Sequence, residues 1–169
     1  YDGAAHGATG TATGADGVTD LTALLNLGDS FTDVPGGTAS WTFAGDANHI
    51  AANGTAEIEI GKAPSVTAVT INGGPFTYSG AAVTPATVSV TGAGGLNLTP
   101  AAVYANNVNA GTATASYSYA GDANHEPSAD SKDFGIGKAS ATIAVAGATV
   151  VYDGAAHGAT GTATGADGV

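Results

Sequence analysis

Apolar and polar positions alternate at period two through most of this chain, as they do along half-buried strands. "SVTAVTI" (Ser65 to Ile71) and "SATIAVAGATVVY" (Ser140 to Tyr152) show the alternation most clearly. Further strands are predicted at Thr38 to Phe43, Thr55 to Ile60, Ala86 to Val90, Ala101 to Ala105, Thr112 to Tyr119 and Ser131 to Ile136. Between them lie "VPGG", "AGDAN", "NGG" and "GAGG", whose Gly, Asp, Asn and Pro residues favour turns. The one helical hint, "LTALLNL" (Leu21 to Leu27), has Gly, Asp and Ser as neighbours and reads as a short turn or strand.

The pattern repeats itself. "YDGAAHGATGTATGADGV" stands at Tyr1 to Val18 and again, letter for letter, at Tyr152 to Val169, a period of 151 residues. A second shift, of 76, carries "AGDANH" at Ala44 to His49 onto Ala120 to His125, and "IGKA" at Ile60 to Ala63 onto Ile136 to Ala139. Upstream, "TYSGAA" around Tyr78 aligns with "VYDGAA" around Tyr152 after a two-residue deletion in "INGGPF". The expected organisation is therefore one repeat from Pro64 to Ala139, a repeat lacking its first strand at 1–63, and the first strands of a third at 140–169. The chain reads as a window, cut out of register with its domains, on a polypeptide in which two related repeats alternate. Six or seven short strands in roughly 76 residues is the spacing of a small Ig-like sandwich.

Composition narrows the function classes. Apolar letters make up 43% of the chain but are mostly Ala and Val, with one Trp and no Met, so any core is thin. Net charge is −11, with 14 acidic residues against Lys62, Lys132 and Lys138 and no Arg. That balance argues against nucleic acid as a partner. No basic amphipathic segment or apolar run of about 18 residues suits a membrane. Without Cys there are no disulfides, thiol chemistry or zinc-thiolate sites.

The stretches "YDGAAH", "TGTATG", "LLNLGDSFTDVPGGTASWTFAGDANH" and "GTAEIEIGKA", with "YSGAAV", "GTATASYSYAGDANH" and "FGIGKA", resemble the bacterial MBG ("mostly beta, glycine-rich") domains. These are Ig-like repeats of large secreted surface proteins. The resemblance covers nearly the whole chain and implies an all-β fold of tandem Ig-like sandwiches, an extracellular or cell-surface location, and no enzymatic activity. The residue after Asn48 and Asn124, often Tyr in such repeats, is His here.

Candidate chemistry is sparse. Asp46 and Asn48, with Asp122 and Asn124, could begin a calcium loop, but no carboxylate follows at the spacing an EF-hand-like loop needs. A β-turn in which Asp and Asn bond nearby amides is the preferred reading, and no cofactor is expected. His6, His49, His125 and His157 have no spacing that brings them together on a metal, and are expected in loops or interfaces. Val83 occupies the position of His6 and His157, so no chemistry common to all repeats depends on it. No G-x-S-x-G elbow is present, and an enzyme is not expected. Lys62 and Lys138 could form isopeptide bonds but more simply close an edge or join neighbouring repeats. Asn53 and Asn97 begin sequons that a Gly-, Asn- and Thr-rich chain produces by chance.

The large aromatic side chains Trp41, Phe43, Tyr78, Tyr117, Tyr119 and Tyr152 are assigned to the core. Ala141, Ile143, Val145, Val150 and Val151 are assigned to inter-repeat strand complementation, completing the sheet of a domain equivalent to Tyr1 to Ala63 either because the chain continues or because separate subunits donate the strand. Two functions follow. The preferred one is a structural repeat of an extracellular filament, stalk or large surface protein, a head-to-tail rod whose partners are neighbouring copies of itself. The other is an adhesin module whose loops bind carbohydrate or a host protein, which an exposed aromatic cluster would favour.

Overall fold

In the computed structural model, which describes residues 1–168, the chain is almost entirely β. Fourteen strands follow one another: β1 (His6–Gly7), β2 (Leu25–Asn26), β3 (Ser30–Phe31), β4 (Gly36–Phe43), β5 (Ala52–Glu59), β6 (Ser65–Ile71), β7 (Phe76–Thr77), β8 (Ala86–Gly92), β9 (Asn97–Leu98), β10 (Val103–Ala105), β11 (Gly111–Tyr119), β12 (Ser128–Gly137), β13 (Thr142–Ala146) and β14 (Thr160–Thr164). Single 3₁₀ turns stand at Thr22–Leu24 and Ala93–Gly95. The stretch Leu21 to Leu27 thus holds a turn and a two-residue strand. No helix among the described residues is long and apolar enough to cross a membrane.

The strands form five sheets, ordered β1-β3, β2-β4-β5, β6-β8-β9, β10-β11-β12-β7 and β13-β14. Most pairings are antiparallel; β7 joins β12 in parallel, with Phe76 opposite Ile136. The chain divides into two compact units. The first comprises Tyr1–Thr67, Ser89–Thr99 and Ser118–Ala129, the second Ala68–Val88, Pro100–Tyr117 and Asp130–Val169. Residues between Pro64 and Ala139 contribute to both.

The second unit contains the main core, and its character is β-sandwich-like. Val69, Val88, Ala113, Ala115, Phe134 and Ile136 are buried together, with Phe76, Tyr78, Tyr104 and Tyr117 packed around them. Alternation puts them there: Ala113, Ala115 and Tyr117 of β11 and Phe134 and Ile136 of β12 are alternate residues that turn inward, and Ala113 and Ala115 leave room for the ring of Phe134. Phe76 and Tyr104 each meet that ring edge on, at 5.6 and 6.3 Å. Asp130 accepts the Val69 amide at 2.8 Å, tying β6 to β12.

β13 and β14 belong to the same unit and pair in full register, Thr142 opposite Thr164 and Ala146 opposite Thr160. Every residue of both strands is exposed. Val145 stands 76 positions after Val69, yet Val145 is 70% exposed where Val69 is 3% exposed. The strand expected from Ser140 to Tyr152 ends at Ala146, and Tyr152, assigned to the core, is 94% exposed; both are corrections. Phe76 and Thr77, which precede the equivalent Tyr78, are held by Ile136 and Gly137 of β12. Val150 and Val151 have no such strand beside them among the described residues.

In the first unit the sheet β2-β4-β5 is built on the eight paired positions of β4 and β5, from Gly36 opposite Glu59 to Phe43 opposite Ala52. Gly54 faces Trp41, and a Cβ there would stand 2.6 Å from the indole Cζ2, so the indole lies flat across β5. Large buried side chains are few in this unit: Ile60 and Tyr119 accompany Ala39, Ala63 and Val90. Trp41 and Phe43 are half-buried, as are Tyr78 and Tyr117 in the second unit.

Candidate functional site

The two "AGDANH" segments form the same turn. Asp46 Oδ1 accepts the amides of Asn48 and His49 and contacts His49 Nδ1, all at 2.8 Å, while the Asp46 amide donates to the His49 carbonyl. Asp122 repeats the arrangement with Asn124 and His125. Gly45 and Gly121 precede the aspartates at φ 71° and 83°, where a Cβ would strike the carbonyl of His49 or His125. Each carboxylate is thus already engaged by its own turn. No three His, Asp or Glu side chains converge among the described residues.

The turns differ in surroundings. His49 keeps part of its surface open, whereas His125 is buried at 5% exposure. Nε2 of His125 meets the Ala93 carbonyl at 2.9 Å, and the Tyr1 ring packs edge on at 5.2 Å. The Ala93 carbonyl, reinforced by the Asp122 carboxylate, raises the His125 pKa above 6.5. Asp122 moves the other way: the Tyr119 hydroxyl at 2.7 Å, then His125 and the turn amides, hold its pKa far below the usual carboxylate range. Both nitrogens of His125 are therefore occupied within the fold.

Around His125 the first unit joins the end of one repeated segment to the turn of the next. The Ala63 amide donates to the Asn124 carbonyl and the Glu126 amide to the Ala63 carbonyl, so Ala63 and His125 form a parallel bridge. Lys62 Nζ donates to the Asp122 carbonyl, Ser65 Oγ to the Glu126 carbonyl, and Asn124 Nδ2 to Asp33 at 2.8 Å. The Val34 amide returns a bond to Asn124 Oδ1 at 2.9 Å. Asn124, weighed as a metal ligand, holds a loop.

A second contact accompanies this one and occurs twice. In the first unit Gly3 lies against Gly94, where a Cβ on Gly3 would be 2.7 Å from the Gly94 Cα, and the Tyr1 phenol covers Gly94. In the second unit Gly80 lies against Asp167, at 2.9 Å from a Gly80 Cβ to Asp167 Cβ, and Tyr78 Oη donates to Asp167 at 2.8 Å. The pairs correspond, because "Y-x-G" at Tyr1 recurs at Tyr78 and "TGAGG" at Thr91 recurs as "TGADG" at Thr164. Sequence reasoning missed this contact; the recurring Tyr-x-Gly was its signal.

Beside β4 and β2 the first unit is open. Two adjoining clefts of about 220 and 530 Å³ share Thr11, Leu25 and Trp41 as walls. Phe43 and Ile50 line the larger one. On its inner edge the segment Thr9–Thr13 is held by a Thr13–Asp20 bridge and by the Leu21 amide bonded to the Ala12 carbonyl. Among the described residues the backbone of Thr9, Gly10 and Thr11 makes no hydrogen bond. The remaining assignments scatter: Ala141, Ile143, Val145, Val150 and Val151 are exposed, and Asn53 and Asn97 lie exposed in β5 and β9. His6 and His157 pair with Asp2 and Asp153 four residues earlier, at 2.8 and 2.7 Å. No protein-family model, curated protein or solved structure matches the chain.

Proposed function

We propose that this chain is a structural repeat of an extracellular filament, stalk or large surface protein, in which Ig-like β-sandwich repeats resembling MBG domains follow one another head to tail. The observation that carries this reading is the recurrent contact: Tyr1 and Gly3 on Gly94, and Tyr78 and Gly80 on Asp167. A contact made twice by corresponding residues is one that every successive repeat can make, and a fixed step repeated builds a rod. The clamp of Lys62 and Ala63 on the Asp122 to Glu126 turn belongs to the same step. Lys138 and Ala139 end the next "IGKA" and repeat the clamp's donor. The extracellular setting comes with the family resemblance. Neighbouring copies of the chain are its partners, and the side chains around both turns are committed to holding structure.

The test is small-angle scattering on chains carrying one, two and three copies of the 151-residue period. A rod adds a constant increment of length with each period. A maximum dimension that grows only as the cube root of mass, as for one compact globule, overturns the reading.

A further inference from the structure

We propose that β13 of one copy is a donor strand for a second copy, pairing with its Thr9–Thr13 and covering the open trough beside Trp41. Identity of sequence carries the argument. Thr9–Thr13 and β14 are the same five residues, "TGTAT", within the eighteen-residue segment that occurs twice. At Thr160–Thr164 they form a strand against Thr142–Ala146. At Thr9–Thr13 they line the trough, and Thr9 to Thr11 have no backbone hydrogen bond among the described residues. A pairing that the chain already makes with one copy of the segment is open to it with the other.

The register follows from the pairing seen. Thr142 stands opposite Thr164, so it takes Thr13 of the second copy; Ile143 takes Ala12, Ala144 takes Thr11, Val145 takes Gly10 and Ala146 takes Thr9. β13 would then hold, beside Thr9–Thr13 of the second copy, the place that β6 holds beside β8. Ile143 and Val145 correspond to Thr67 and Val69, which are buried at 8% and 3% exposure. In the isolated chain they are 69% and 70% exposed.

The exchange is close to neutral in hydrogen bonds, because β13 leaves one "TGTAT" and joins an identical one. What remains is burial of Ile143 and Val145 together with the trough walls Leu25 and Trp41, which favours the exchanged state. Donor and trough lie in different parts of the chain, so the contact is heterologous and propagates as an open series. The proposal rests on the head-to-tail reading for the order of the copies.

Trp41 is the only tryptophan and reports directly. Sedimentation and Trp41 fluorescence are followed on the whole chain as its concentration is raised. The expected result is association accompanied by a shift of Trp41 emission to shorter wavelength, with association weakened at least ~tenfold, about 1.4 kcal/mol, in Ile143→Asp and Val145→Asp. Both positions are exposed in the isolated chain, and circular dichroism of the variants confirms that they fold. Association that persists undiminished in the variants, association that leaves Trp41 emission unmoved, or a chain that stays monomeric throughout overturns the proposal. None of these results touches the scattering test, which uses covalently joined periods.

Discussion

Tyr78 donates a 2.8 Å hydrogen bond to Asp167, eighty-nine residues further along the chain. Tyr1 meets the corresponding loop residue, Gly94, with its phenol. In both cases the glycine two positions after the tyrosine approaches the same loop with positive φ, 82° at Gly3 and 80° at Gly80. The joint therefore depends on a missing Cβ as much as on the tyrosine. Gly3→Val and Gly80→Val should each destabilise the chain by roughly 1–3 kcal/mol, since each forces a β-branched residue into left-handed backbone against a neighbouring loop. Urea titration checks this; two unchanged midpoints would break the equivalence of the contacts.

Val69 and Val145 are a matched pair in sequence and opposites in environment. Val69→Ala should cost about 2 kcal/mol, from lost transfer and a residual cavity against Val88 and Phe134. Val145→Ala in the isolated chain should stay within about 0.5 kcal/mol. The same titration at low protein concentration separates them.

Trp41 lies over Gly54 and not in a closed core. Gly54→Val should expel the indole from β5, costing about 1–3 kcal/mol and moving Trp41 emission to longer wavelength. Unchanged emission would show that the indole does not rest there.

The pH dependence has two limbs of opposite sign. His125 has a raised folded pKa, so its contribution is fully present below 6.5 and is lost as pH climbs through the higher folded value. Asp16, held at about 2 by the Thr19 hydroxyl and by the amides of Thr19 and Val18, contributes above 3.8 and is lost as pH falls through that low value. Thermal midpoints should decline as pH rises above about 6.5 and through the raised folded value, and His125→Gln should flatten this alkaline limb while leaving the acid one.

Asp46 and Asp122 each spend one oxygen on two amides and an imidazole, so the turns close without a cation. Chelation of divalent ions should leave the thermal midpoint unmoved. A fall of about 10 °C would reassign both turns as calcium loops.

Much of the local structure was legible from residue order alone. Period-two alternation located β6, β8, β11 and β12, because a pleated strand sends alternate side chains to opposite faces whatever its partner. The Gly-Asp-x-Asn letters determined the two turns, since Asp accepts the amides two and three residues on without any tertiary help. The recurrences of 76 and 151 residues are a property of the sequence itself. Burial was decided elsewhere. Val69 and Val145 occupy equivalent places in equivalent strands, and "TGTAT" is strand at Thr160–Thr164 and trough wall at Thr9–Thr13. His49 and His125 make one turn, yet only His125 is enclosed by Tyr1 and Ala93. Alternation says which face of a strand is apolar, but exposure depends on whether a second layer lies against that face, and that layer is contributed by segments distant in the chain.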